Sequence, residues 1–242
     1  MEDAQAILPT VYKLVDDFPF DLIVASQDWH PQGHVSFASS HPGHKLFTSI
    51  DHIHRLQPSQ PIKQELWPTH CVQGTRGASI EDGLARRLEA LKPGCLDAGR
   101  VDDGQEKAGR ADTDGDSAQK DVVLVQKGTS IDADGYSAFS LNGNLGFTDL
   151  ARTLFSWRAS PAQGSVRDSR IDTLILCGLA TDYCCLRTAI DARKFGFRTI
   201  VVEDGVRGVG EETSSAAWAE MERWGCLRVK TAEEAWALAV PP

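Results

Sequence analysis

Asp21-Leu22-Ile23-Val24-Ala25-Ser26-Gln27-Asp28-Trp29-His30 is the stretch that decides the fold of this chain. Its first half is a short apolar run of the kind expected of a strand buried on both faces, and its second half turns polar. Alternate side chains of an extended chain share a face, so Asp28 and His30 project together at the strand's carboxyl end. Comparable runs recur at 122–125, 173–177, 199–202 and, more weakly, 227–229. Helical patterns lie at 7–18, 80–91, 181–195 and 213–224. This alternation predicts an α/β fold, a three-layer sandwich with a mainly parallel sheet and helices on both faces. Open sheets of this kind bind ligands at the carboxyl ends of their strands, where Asp28 and His30 lie.

The chain has 242 residues, 41% of them apolar, enough for one sizeable core. Two stretches break the rhythm. Residues 98–121, rich in Asp, Gly, Glu and Lys, and residues 156–170 read as solvated insertion loops. The strand-helix rhythm resumes after each, so residues 1–242 are read as a single domain. A net charge of −9, from 25 basic and 34 acidic residues, argues against nucleic acid or an anionic membrane as partner and leaves a small molecule or a homo-oligomer open. No apolar run approaches a membrane span and no secretory signal opens the chain, so the expected location is cytoplasmic. Six cysteines without C-x-x-C spacing are expected to be free thiols.

All seven histidines fall between positions 30 and 70. A carboxylate and an imidazole two residues apart on a strand can reach one divalent ion, and His70, in Trp67-Pro68-Thr69-His70-Cys71, is the best third ligand. Three protein ligands leave positions open for water or substrate. The alternative makes Asp28 a turn cap and the histidines solvated. His34 ranks lower, as a fourth ligand or a hydrogen-bonding partner, and His41, His44, His52 and His54 read as surface loop residues. Lys127 closes the strand run at 122–125, a costly place for an ammonium unless it is paired, used, or snorkels to water. The run at 173–177 leads into Gly178-Leu179-Ala180-Thr181-Asp182-Tyr183-Cys184-Cys185. A thiol at a strand-to-helix turn meets the helix dipole and free N–H groups, which favour thiolate and can stabilise an oxyanion, whereas two buried structural cysteines are the plainer reading. Thr181 is a candidate N-cap.

Together these segments resemble the nicotinamidase/pyrazinamidase family of the isochorismatase-like cysteine hydrolases. The resemblance rests on 26–31 with Gly33-His34-Val35-Ser36-Phe37-Ala38, on 67–72, on Lys127-Gly128 with Asp134-Gly135-Tyr136-Ser137-Ala138-Phe139, and on 178–184. It implies that Asp28, His30 and His70 bind one divalent metal ion, zinc, iron or manganese, and that the pyridine nitrogen of nicotinamide coordinates it. It implies that Cys184 attacks the carboxamide carbon, with Lys127 beside it and the N–H groups of Ala180 and Cys184 as oxyanion hole. A cis peptide before Ala180, and a ring pocket lined by Trp67, Leu179 and Tyr183, are implied as well. The implied reaction is hydrolysis of nicotinamide to nicotinate and ammonia, in NAD salvage.

The resemblance departs at the start of the chain. The family's triad also has an aspartate, in a Val-Asp-x-Gln-x-Asp-Phe-like segment after a first strand that lies centrally in a sheet ordered 3-2-1-4-5-6. Asp16 and Asp17 do not match it, so no residue is assigned that role. The expectation is a truncated chain whose strands at 21–25 and 173–177 lack their shared neighbour, with little hydrolytic activity. Cysteine amidases acting on carbamoyl or ureido groups generally lack the Asp-Trp-His segment, and isochorismatases lack the cysteine. A non-catalytic metal-binding remnant is the reading from a different class.

Overall fold

The computed structural model describes residues 3–96, 120–157 and 170–240. The expected loop at 98–121 lies almost wholly outside the described residues, as does most of that at 156–170. Helix α1, Leu8–Asp17, buries Val11, Leu14 and Val15 on one side, the spacing of an amphipathic helix, and carries Pro9 in its first turn, where no intrahelical N–H is lost. It delivers the chain into β1, Leu22–Asp28. Strands β2, Ser49–His52, and β3, Ile62–Glu65, form an antiparallel hairpin. Helix α2, Asp82–Leu91, precedes β4, Asp121–Lys127, which runs parallel to β1 in unbroken register from Leu22 opposite Asp121 to Asp28 opposite Lys127. Helix α3, Leu150–Ser156, follows.

The second half is a parallel sheet of β5, Thr173–Leu179, β6, Arg198–Arg207, and β7, Leu227–Val229, in that spatial order. Its crossovers are α4, Leu186–Lys194, and α5, Glu211–Arg223, and the described chain closes with α6, Ala232–Ala239. Helices α4 and α5 pack on β6 through Leu186, Ile190, Ala217 and Met221, while α1 and α6 cover the opposite face around Ile200 and Val202. Parallel strands with helices on both faces are what the sequence pattern predicts.

The sheet is not continuous. Among the described residues β1 hydrogen-bonds only to β4, and β5 only to β6. The expectation that 21–25 is buried on both faces is therefore corrected: β1 and β5 are mostly half-buried, whereas Ile200, Val201 and Val202 of β6 are fully buried. An apolar strand with one neighbour keeps one edge open, and its side chains share that exposure. The two edges have not closed on one another.

The hairpin, α3 and α6 escape sequence reading. Ser49–His52 and Ile62–Glu65 are polar and short, and the inward residue is Gln64, which no hydrophobic alternation reveals. Among the described residues no helix is long and apolar enough to cross a membrane. Ile200 sits under helices on one face of the best-buried strand. Ile200→Ala is expected to lower unfolding free energy by about 2–5 kcal/mol in urea titrations, through lost contacts and an unfilled cavity.

Candidate active site

The backbone gathers the histidine segment against the segment at 67–72. His30 N–H donates to the Cys71 carbonyl (2.9 Å), Gln73 N–H to the His30 carbonyl (2.8 Å), and Trp67 N–H to the Ser36 carbonyl (2.7 Å). Asp28, His30 and His70 consequently present ligand atoms within 4.8 Å of one another. Each ring is oriented through its second nitrogen: His30 Nδ1 lies 2.9 Å from the Gly128 carbonyl and His70 Nδ1 2.8 Å from the Pro68 carbonyl, which leaves both Nε2 atoms for a ligand. Gly128 has φ +61°, and a Cβ there would come within 2.4 Å of His30 Cε1, so only glycine lets the imidazole dock on this carbonyl.

His34 belongs to the same cluster. Its ring stacks on that of His30 at 4.2 Å, its Nδ1 meets Ser36 Oγ at 2.7 Å, and its buried Nε2 makes no hydrogen bond. His30, His34 and Asp134, all buried, form a second ligand-like group. Burial, and then the charge of His30, push His34 down to about 4, and burial also holds His30 below its ordinary value. Neutral imidazoles with a free nitrogen and a carboxylate beside them are a donor set suited to a divalent cation. The orphaned His34 Nε2 is a buried polar atom that such a cation or its water would satisfy.

Lys127 closes β4 and is buried, not snorkelled. Its Nζ donates to Asp28 Oδ1, to the Gly135 carbonyl at 3.2 Å and to Cys184 Sγ at 3.1 Å. Burial works to lower its pKa, but the charges of Cys184 and Asp28 more than offset it and hold it above the ordinary lysine value. Burial likewise works to raise Asp28, and the Lys127 ammonium carries it below its usual range. For Cys184 the balance falls the other way: burial outweighs Lys127 and holds the thiol above its ordinary value. Desolvation thus outweighs the pull of the Lys127 ammonium on this thiol.

Cys184 lies in a single π-type turn, Thr181–Cys185, that opens α4. The Leu179-Ala180 peptide is cis, and the Ala180 carbonyl accepts from Cys185 N–H at 3.0 Å. Thr181 makes no capping bond, contrary to the reading of it as N-cap. Asp182 anchors the turn instead: its carboxylate accepts from Val209 N–H (3.0 Å), Gly210 N–H (3.2 Å) and Thr213 Oγ1, tying it to the start of α5. Cys185 is buried in the α4–α5 core, a small apolar filler.

Aromatic rings gather about Tyr183, the residue before Cys184. Trp67 meets Tyr183 edge to face at 4.7 Å, its Nε1 donates to Tyr136 Oη at 3.1 Å, and Tyr136 lies 5.4 Å from Tyr183. Tyr136, Asp134 and Gln64, which donates to Asp134 Oδ2 at 3.2 Å, are site neighbours that sequence reasoning did not assign. Asp134 and Tyr136 were present only as members of the 134–139 motif, and Gln64 carried no signal. Leu179 ends β5 and is 41% exposed. His54 is not a surface residue: it is buried and 3.3 Å from Asp132, while His41 and His52 bond the carbonyls of Val35 and Asp132.

The chain's segment 150–234 matches the Isochorismatase domain. It is 32% identical to the nicotinamidase of Acinetobacter baylyi over 94% of this chain and 82% of that one. The chain belongs to the nicotinamidase family. Among solved structures, an Acinetobacter baumannii nicotinamidase/pyrazinamidase is 28% identical with a TM-score of 0.67, covering 96% of this chain and 87% of that one. A pyrazinamidase of Pyrococcus horikoshii in complex with zinc is 27% identical with a TM-score of 0.56, covering 95% and 88%. The family's fold is mixed α/β with parallel strands, as here.

Two outcomes follow from this geometry. Gly128→Ala should displace His30 and weaken divalent-cation retention by about 10–100-fold in chelator competition, the usual effect of disturbing a ligand's orienting partner. Asp182→Ala should leave buried N–H groups unpaired and lower stability by about 1–3 kcal/mol in denaturant unfolding.

Proposed function

We propose that this chain hydrolyses nicotinamide to nicotinate and ammonia, an amidohydrolase reaction on a carboxamide carried by a pyridine ring. The observation that carries the reading is the Lys127 Nζ to Cys184 Sγ contact of 3.1 Å beside the Asp28, His30 and His70 ligand atoms. Family membership and the ring cage of Trp67, Tyr136 and Tyr183 support it.

Asp28, His30 and His70 would hold one divalent cation, zinc, iron or manganese, which when bound supplies a Lewis-acid anchor for a pyridine nitrogen. Trp67, Tyr183 and Leu179 flank the ring and exclude water from its faces. Cys184 Sγ adds to the carboxamide carbon, and the N–H groups of Ala180 and Cys184 receive the oxygen as it becomes negative. The thiol proton passes to the amide nitrogen. The C–N bond breaks, ammonia leaves and an acyl thioester remains. Water then adds to the thioester carbon, the C–S bond breaks, and nicotinate departs as Cys184 regains its proton. Lys127 stabilises sulfur whenever it carries negative charge. Nicotinate is a precursor from which NAD is rebuilt, so the reaction is one of pyridine salvage.

The proton transfer is the weak step. Burial holds the Cys184 thiol above its ordinary value, and the carboxylate paired with Lys127 is Asp28, which the cation site would also require. A positioned general base commonly contributes about 10²–10⁴ in rate, and this chain is expected to fall short of a fully equipped nicotinamidase by that factor in ammonia-release assays. Cys184→Ala should release no ammonia above background. Binding is separable from turnover: pyridine-3-carbaldehyde should protect Cys184 from alkylation, in peptide-mapped mass spectrometry, where benzaldehyde does not. Equal protection by both aldehydes, together with no ammonia release, would remove the pyridine-specific reading.

A further inference from the structure

Phe47 is 64% exposed, although its side chain is large and apolar. Its φ is +60°, in the left-handed region, where the Cβ of a bulky residue crowds the following carbonyl. The other non-glycine residues of positive φ among the described residues are Asp3, Cys71 and Asn144. Asp and Asn relieve that conformation with local hydrogen bonds, and Cys71 follows the ligand-like His70. Phe47 combines an exposed apolar ring with backbone strain, and neither contributes to the stability of the fold. Strain of this kind persists only where the surroundings impose it, and it concentrates at working sites.

The hairpin imposes it. Phe47 N–H donates to the Leu66 carbonyl (2.7 Å) and Leu66 N–H to the Thr48 carbonyl (2.9 Å), which extends the β2–β3 pairing past Ser49 and Glu65. Leu66 is fully buried and fixes this turn to the core. The other end of the hairpin is pinned as well. Gln64 Nε2 donates to Asp134 Oδ2 at 3.2 Å, His52 Nε2 lies 2.9 Å from the Asp132 carbonyl, and His54 Nε2 lies 3.3 Å from the Asp132 carboxylate. On this mount the Phe47 ring meets Trp67 edge to face with centroids 5.9 Å apart, and Trp67 meets Tyr183 in the same way at 4.7 Å. Phe47, Trp67 and Tyr183 therefore form one aromatic wall that runs from solvent to the residue before Cys184. The inner two rings are held on more than one side, because Trp67 Nε1 also donates to Tyr136 Oη and Tyr136 packs on Tyr183. The outermost ring still has apolar surface to cover.

We propose that Phe47 is a specificity-determining residue: it forms the outer part of the ring pocket and contacts the ring of an aromatic carboxamide, so that flat aromatic amides are held in preference to aliphatic ones. Ring contact is the interaction an aromatic wall offers beyond simple burial, and an aliphatic amide cannot reproduce it. The inference rests on the function proposed above only in placing an aromatic ring beside Trp67 and Tyr183. It requires neither a pyridine nitrogen nor turnover.

The test uses the full chain and reads alkylation of Cys184 by peptide-mapped mass spectrometry in the presence of pyridine-3-carbaldehyde, benzaldehyde or isobutyraldehyde. Phe47→Gly removes the ring and frees the left-handed backbone, and Phe47→Asn keeps a small side chain that tolerates it. Both should raise the pyridine-3-carbaldehyde concentration that half-protects Cys184 by about 3–10-fold, leave that of isobutyraldehyde unchanged, and leave Tm equal or higher. Phe47→Tyr should retain the original protection. In ammonia release the loss should fall on KM, with kcat held within about 2-fold, because the contact is the same in ground and transition states. Unchanged protection by pyridine-3-carbaldehyde in both Phe47→Gly and Phe47→Asn would overturn the proposal. So would weaker protection by ring and aliphatic aldehydes alike together with a lowered Tm, the mark of a ring that only braces its turn. Benzaldehyde separates this inference from the pyridine reading. If it protects the unmodified chain as well as pyridine-3-carbaldehyde does, and Phe47→Gly weakens both, the pyridine reading fails and the role of Phe47 stands. If neither ring aldehyde protects the unmodified chain, both fail.

Discussion

The ammonium of Lys127 is buried, and the rest of the site is arranged around what that burial demands. An unpaired charge in a low-dielectric interior is far more costly than a domain's whole margin of stability, so each of its three N–H donors must find an acceptor. They find Asp28 on β1, the Gly135 carbonyl in the loop after β4, and Cys184 at the head of α4. The β1–β4 register sets the first contact directly, because it places Asp28 opposite Lys127. The third contact reaches across to the other half of the molecule. β1 and β5 share no ladder, so this polar joint connects two separate pieces of sheet where the chemistry lies.

One carboxylate thereby stands between an ammonium and a ligand-like cluster. Asp28 neutralises Lys127 and also offers an oxygen to the His30 and His70 ligand set. A divalent ion held by that set would compete with Lys127 for the Asp28 carboxylate. The thiol side of the site is governed by desolvation: Cys184 is held up by burial even with a lysine in contact. The nearby ammonium offsets only part of the desolvation of this buried thiol.

The open edges explain why helices carry so much of the packing. Four apolar clusters hold the described residues, each built from helix faces laid on strands. Residues 22–25 and 174–177 keep the composition of central strands while their burial is that of edges. Composition reports the environment for which a strand is suited, and burial reports the neighbours it has.

Much of this was legible in the chain itself. Apolar runs at 21–25, 122–125, 173–177 and 199–202 locate the parallel strands because β-branched residues without alternation suit a surface covered on both sides. Asp28 and His30 are paired by strand periodicity, and Cys184 by its place after a strand and before a helix. What the sequence could not determine depends on distance between segments far apart in the chain. It could not show that Asp182 tethers the turn carrying Cys184, that Tyr136 bonds Trp67 and Asp134 bonds Gln64, or that His34 carries an orphaned nitrogen, since each depends on segments brought together by the fold. It also could not weigh burial against charge at Cys184, because desolvation is a property of the assembled interior. Residue type and periodicity are local and are written in the chain; the balance of charges, and whether two strand edges meet, are decided only when the segments are brought together.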